Sequence, residues 1–215
     1  MKKLPLLFLL AVLILVIAFA SLSHSKTTKR VTALPGPKTG AVYKAPSNEF
    51  LKLKSKAAAV KLFVKQNHFD TSYYFFIDMS LPANHKRFFI YDLQRNAILN
   101  SGLVTHGNCN QYWLQGRKYG NEIGCGCTSL GKYKIGISYQ GKFGLAFKLH
   151  GLEETNSNAY KRYVVLHSHG CVPNNEVRDE ICQSNGCPTV APEFLKQLEV
   201  LIKELNHPPL LWIFE

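Results

Sequence analysis

The chain has 215 residues, 46% hydrophobic and 19% charged, a globular composition that excludes a disordered or collagen-like protein. That length suits one domain with an appended segment. Lys and Arg number 26 against 14 Asp and Glu, a net +12, but the basic residues are scattered. No zinc-finger spacing, RNP-like aromatic motif or basic helix accompanies them, so nucleic acid is not the expected partner.

Lys2 and Lys3 precede an unbroken apolar run over residues 6–20, which ends in the small-residue pattern Ala18-Phe19-Ala20. A basic start, an apolar stretch shorter than the ~20 residues of a spanning helix and such a site read as a secretory signal over residues 1–20. An uncleaved membrane anchor is the alternative, and both export the folded part. Cleavage after Ala20 removes Lys2 and Lys3 and leaves +10, a surplus suited to the anionic polymers and peptide carboxylates of a bacterial envelope. Residues 21–46, rich in Ser, Thr, Lys, Gly and Pro, read as a flexible linker. The folded domain is then expected over residues 47–215.

Ser47 or Asn48 is placed to cap a helix running through Phe50, Leu51, Ala57, Val60, Leu62 and Phe63. From Thr71 the pattern changes to short aromatic and β-branched runs. Tyr73-Tyr74-Phe75-Phe76-Ile77, Arg87-Phe88-Phe89-Ile90-Tyr91 and residues 97–104 are expected strands, as are residues 133–138, 144–149 and 162–166. A helix over residues 193–205 with apolar Phe194, Leu195, Leu198, Leu201, Ile202 and Leu205 follows, and Leu210-Leu211-Trp212-Ile213-Phe214 closes the chain as a last strand. The expected fold is mainly β, sandwich or barrel-like, with an N-terminal and a C-terminal helix.

The chemistry gathers late in the chain. Tyr163-Val164-Val165-Leu166 leads into His167-Ser168-His169-Gly170-Cys171, and Cys187 follows within Ser184-Asn185-Gly186-Cys187-Pro188. A strand tip fixes an imidazole while leaving it reachable. Glycine before the cysteine lets the backbone approach a bound carbonyl, and the following proline stiffens the turn. A thiol held near such a base can form a thiolate–imidazolium pair, and the Gly186 and Cys187 amides can face a developing oxyanion. Other readings of the same residues stay open. The six cysteines, Cys109, Cys125, Cys127, Cys171, Cys182 and Cys187, can form three disulfides in an oxidising compartment, with Cys187 bonded to Cys182 or Cys171. If one cysteine is a working thiol, at most two disulfides and one further free thiol remain. The alternating His167, His169 and Cys171 with Cys125-Gly126-Cys127 also suggest zinc, although Cys-x-Cys is tighter than usual zinc spacing.

Taken in order, Ile90-Tyr91-Asp92-Leu93, Thr105-His106-Gly107, Thr128-Ser129-Leu130-Gly131, Tyr139-Gln140-Gly141-Lys142-Phe143-Gly144, His150-Gly151-Leu152, Asn156 through His167 and Ser184 through Pro188 resemble the murein L,D-transpeptidase catalytic domain. More narrowly, they are similar to the YkuD-like branch that ends in Gly-Cys-Pro, over residues 70–190. The resemblance implies Cys187 as nucleophile, His167 as general base, Gly186 in the oxyanion hole and Ser168 orienting the imidazole. It implies substrate contact or bracing by His106 and Arg162, with Ser184 and Asn185 at the substrate. The cysteines other than Cys187 are unusual for that family, and disulfides pinning the loops around the site are expected, with Cys171–Cys182 as a hypothetical link.

Three positions depart from the family pattern. Asn185 stands where the commoner signature has a second histidine, Thr189 where it has an arginine, and Gln183 where this branch often carries an arginine. A cation for a substrate carboxylate is therefore missing from its usual place. The implied activity is a cell-envelope acyl transfer on peptidoglycan stem peptides, transpeptidation or carboxypeptidation, through a thioester and without a cofactor. The alternative is a non-catalytic, disulfide-stabilised envelope binding module.

Overall fold

Alternating aromatic residues build the centre of the molecule. In this computed structural model, which describes residues 47–215, β1 (Tyr73–Asp78) is buried on both faces. Tyr74 and Phe76 point to one side and Phe75 and Ile77 to the other, as a strand's twofold period requires. The expected leader (1–20) and linker (21–46) lie outside the described residues.

The first side packs against α1 (Ser47–Gln66), whose Leu53, Ala57, Val60 and Val64 recur at helical spacing and are buried. Phe89 and Tyr91 of β2 (Phe88–Asp92) join that side, while Phe88 and Ile90 turn to the other. There α2 (Pro192–Glu204) supplies Phe194, Leu195 and Leu198, with proline at its first turn, where a missing N–H costs nothing. Phe194 lies so close over β3 (Ala97–Gly102) that a Cβ at Gly102 would come within 2.6 Å of its ring.

The remaining strands are β4 (Gly131–Gly141), β5 (Gly144–Gly151), β6 (Val165–Ser168), β7 (Thr189–Val190) and β8 (Leu210–Phe214). They form one eight-stranded sheet in the order β3-β2-β1-β8-β4-β5-β6-β7. The closing strand β8 thus lies in the middle, parallel to β1 and antiparallel to β4. An antiparallel bridge from Val104, just past β3, to Val190 of β7 ties the two ends of this order together. The mainly-β fold with a helix near each end is as expected.

One expected element moves and one strand was not expected. The strand read at 162–166 begins only at Val165, because Glu154–Asn156 form a 3₁₀ turn and the chain keeps turning afterwards. The Arg162 N–H bonds the Asn158 carbonyl, and Tyr163 takes the left-handed conformation at φ 57°. His167 consequently sits inside β6 rather than beyond its tip. The two-residue β7 carries too little pattern to be read in advance.

A buried cation holds the junction beneath the site. Arg87 is fully buried, donating from Nε and Nη2 to the Val104 carbonyl and from Nη1 to that of Leu81. Burial lowers its pKa to about 10, which leaves it charged at neutral pH. R87M, of similar length, takes both guanidinium donors from the Val104 carbonyl and leaves Leu81 with Arg117 alone, and should destabilise the fold by about 3 kcal/mol, measured by denaturant unfolding.

Candidate active site

The turn before β7 is shaped by one glycine and two hydroxyls. Gly186 has φ 102°, and a Cβ there would lie 2.6 Å from the Cys127 carbonyl oxygen, so only glycine fits. Ser184 Oγ donates to the Cys187 carbonyl at 2.7 Å and accepts the Gly186 N–H at 3.2 Å. Thr105 Oγ1 donates to the same Cys187 carbonyl at 3.2 Å. The Ser184 backbone is stitched to the neighbouring chain in both directions, its N–H to the His106 carbonyl and its carbonyl to the Asn108 N–H. Cys187 is thereby presented beside β6.

Cys187 Sγ accepts the Val165 N–H at 3.5 Å and lies 3.8 Å from the Tyr163 carbonyl. Burial pushes its thiol pKa up, against smaller lowering effects of the Val165 hydrogen bond and the Arg162 charge. His167, 7% exposed, has Nδ1 at 3.1 Å from the Ser168 carbonyl and Nε2 at 3.1 Å from Thr189 Oγ1. Burial lowers its pKa, with a smaller contribution from His169 and an opposing one from the Ser168 bond. The thiolate–imidazolium pair allowed by the sequence is therefore disfavoured at rest: both groups are held toward their neutral forms. No hydrogen bond joins them directly in this state. Both line one cavity of about 250 Å³, shared with Thr105, Phe143, His169, Gln183 and Asn185.

The other expected residues divide. Ser168 acts through its backbone carbonyl, since a carbonyl only accepts and so leaves the ring proton on Nδ1. Asn185 is exposed and borders the cavity. Ser184 borders it as well, but its hydroxyl is occupied by the turn. The Gly186 amide, expected to face an oxyanion, is taken by that hydroxyl; the Cys187 N–H has no hydrogen-bond acceptor among the described residues.

His106, expected at the substrate, is 2% exposed and lies outside the cavity. Its pKa is lowered to about 4 by burial and the Arg87 charge, so the neutral ring accepts at Nδ1 from Arg87 Nη2 at 3.2 Å. Only its backbone carbonyl serves the site. Arg162 braces: Nη1 donates to the Gly120 carbonyl and Ser129 Oγ, Nη2 to the Cys127 carbonyl behind Gly186. It also lines a second, smaller pocket with Asn110, Gly124, Gly126 and Asn185. Gln183, in place of an arginine, exchanges two hydrogen bonds with the backbone of Leu114.

The contacts of two residues at the site escaped sequence reading. Phe143, on the β4–β5 hairpin and 51% exposed, stacks over His167 at 5.0 Å between ring centroids. Thr189 meets Nε2. Phe143 stands within a family-like segment and Thr189 at a departure from the family pattern, but nothing in one sequence says that either side chain meets the imidazole.

Cys109–Cys127 and Cys171–Cys182 are disulfides, and Cys125 and Cys187 are free. The Cys171–Cys182 link expected from the sequence is present, flanking the cavity. The zinc reading loses Cys127 and Cys171 to these bonds, and no group of three or more His, Cys, Asp or Glu among the described residues is placed to hold a metal.

A reduced cysteine and a neutral histidine opening on one cavity of a mainly-β domain define a thiol–imidazole site. The model of the L,D-transpeptidase catalytic domain matches residues 44–214, and the chain belongs to that family. No curated protein sequence matches it significantly. Among solved structures, the L,D-transpeptidase from Xylanimonas cellulosilytica is similar at 12% identity, covering 67% of this chain and 61% of that one, with a TM-score of 0.38. That from Mycobacterium smegmatis is similar at 10% identity, covering 67% and 59%, with a TM-score of 0.39. This chain therefore spans about three fifths of those structures' length.

The cysteine assignment is checked by alkylating the unfolded, unreduced protein. Mass spectrometry should find two adducts, at Cys125 and Cys187, and six after reduction.

Proposed function

We propose that the protein is an exported cell-envelope cysteine acyltransferase acting on peptidoglycan stem peptides, tethered if its N-terminal segment is retained. The observation that carries this reading is the pairing state of Cys187. In a chain with two disulfides it stays reduced, half-buried, and shares a cavity with His167. Membership of the L,D-transpeptidase catalytic domain family supports the substrate class, and the disulfides support an oxidising compartment. No helix among the described residues is long and apolar enough to cross a membrane. A binding module whose cysteines are all structural is disfavoured by the same free thiol.

Substrate binding turns Sγ from Val165 toward His167 Nε2, which takes the thiol proton as sulfur attacks the amide carbonyl of the donor stem. The Cys187 N–H receives the developing oxyanion. The protonated imidazole then gives its proton to the departing amine, releasing the terminal amino acid and leaving a thioester. An amine of a second stem makes a cross-link; water makes a carboxypeptidase. Thiol, imidazole and amide suffice for these steps, and no cofactor enters. Among the described residues no lysine or arginine lines the cavity, so the donor carboxylate meets the neutral donors Asn185 and Gln183, with Arg162 in the adjoining pocket beyond Asn185.

C187A should fold normally yet lose stem-peptide turnover and covalent labelling by a carbapenem, while C125A keeps both; turnover persisting in folded C187A ends this reading. The pH dependence follows from the two shifts. A lowered His167 pKa keeps the base neutral as pH falls past 6.5, so kcat/KM should decline only below that value. A raised Cys187 pKa means that its alkylation rate should still be climbing at pH 9, read with iodoacetamide across a pH series.

A further inference from the structure

The ring nitrogen left to act as base is already engaged. Because Nδ1 carries the proton that bonds the Ser168 carbonyl, Nε2 of neutral His167 holds the lone pair, and Thr189 Oγ1 faces it at 3.1 Å. A second acceptor is in reach of that hydroxyl, the Cys187 carbonyl at 3.3 Å. This carbonyl is already served by the shorter bonds from Ser184 Oγ, 2.7 Å, and Thr105 Oγ1, 3.2 Å. At rest the Thr189 proton therefore goes to Nε2.

The threonine is itself fixed. It is 3% exposed and lies opposite His167 in the parallel β6–β7 register. Its N–H bonds Thr105 Oγ1 at 3.2 Å and its carbonyl takes the Thr105 N–H at 3.0 Å.

We propose that Thr189 is a positioning residue whose hydroxyl donates to Nε2 of the neutral base and accepts from Nε2–H once the base has taken the Cys187 proton, its own proton turning to the Cys187 carbonyl. No bond to Thr189 breaks. The thiol proton moves to Nε2, and the hydroxyl rotates about its Cβ–Oγ bond. The hydrogen bond from a charged imidazolium is stronger than the one to a neutral ring, so the hydroxyl makes His167 a better base. The other groups around the ring are the stacked Phe143, His169 and Cys187; among the described residues the cavity lining contains no carboxylate to do the same work. The inference rests on His167 serving as the base in the acyl transfer above.

The test compares the purified protein with T189V, which keeps the shape, and T189S, which keeps the hydroxyl. T189V should lower kcat on the order of tenfold with KM unchanged, and T189S should restore it. In an NMR titration of the imidazoles, the His167 pKa should fall in T189V and stay at the wild-type value in T189S. T189A stands in if valine disturbs folding. A His167 titration identical in wild type and the hydroxyl-free variant overturns the proposal. That titration needs no substrate. A wild type inert on stem peptides would end the acyltransferase reading, while the titration still decides the part of Thr189.

Discussion

One carbonyl oxygen, that of Cys187, is the point on which the site depends. Two hydroxyls from different parts of the chain, Ser184 and Thr105, converge on it, and a third, Thr189, lies just beyond. The oxygen cannot move without breaking bonds to both the turn that precedes β7 and the segment that follows β3. A nucleophile needs its backbone held while its side chain keeps freedom to rotate, and this arrangement does both. Among the described residues, Sγ has only weak sulfur hydrogen bonds with Val165 and Tyr163.

The support extends outward from this turn. Behind Gly186 stands the Cys127 carbonyl, bonded by Arg162 and carried on the Cys109–Cys127 disulfide arm. Beneath Thr105 the chain is held by Arg87, whose charge is dispersed over backbone carbonyls rather than matched to a carboxylate. A buried guanidinium used in this way ties two loops to the aromatic core without placing a negative charge near the thiol. The opposite flank of the cavity is closed by Cys171–Cys182, which restrains the excursion between β6 and the nucleophile turn.

Electrostatics at the site favour neutrality. His167 and Cys187 are both desolvated, and among the described residues the cavity lining offers neither a carboxylate for the imidazolium nor a lysine or arginine for the thiolate. Charge separation is therefore postponed until substrate brings its own carbonyl and the Cys187 N–H can share the load. Phe143 deepens the effect by covering one face of the imidazole from a hairpin that is otherwise solvent-facing.

Much of this was legible in the residues themselves. The alternation of β1, β2 and β8 follows from side-chain period, and both helices follow from apolar spacing; these are local patterns. Cys187, His167 and Gly186 were visible because a thiol after glycine and an imidazole on a strand are distinctive chemical types. What the sequence could not decide is which polar atoms meet. His106 looked like a substrate ligand and is a buried acceptor for Arg87; Arg162 looked able to bind substrate and braces a carbonyl; Thr189 looked like a loss and lies on the base. Composition also left the cysteine pairing open, since six thiols permit several maps. Residue type and period determine the elements and the reactive groups because both act over a few neighbouring positions. Hydrogen-bond partnership and burial belong to tertiary structure, because they depend on which distant segments the closed sheet brings within 3 Å of one another.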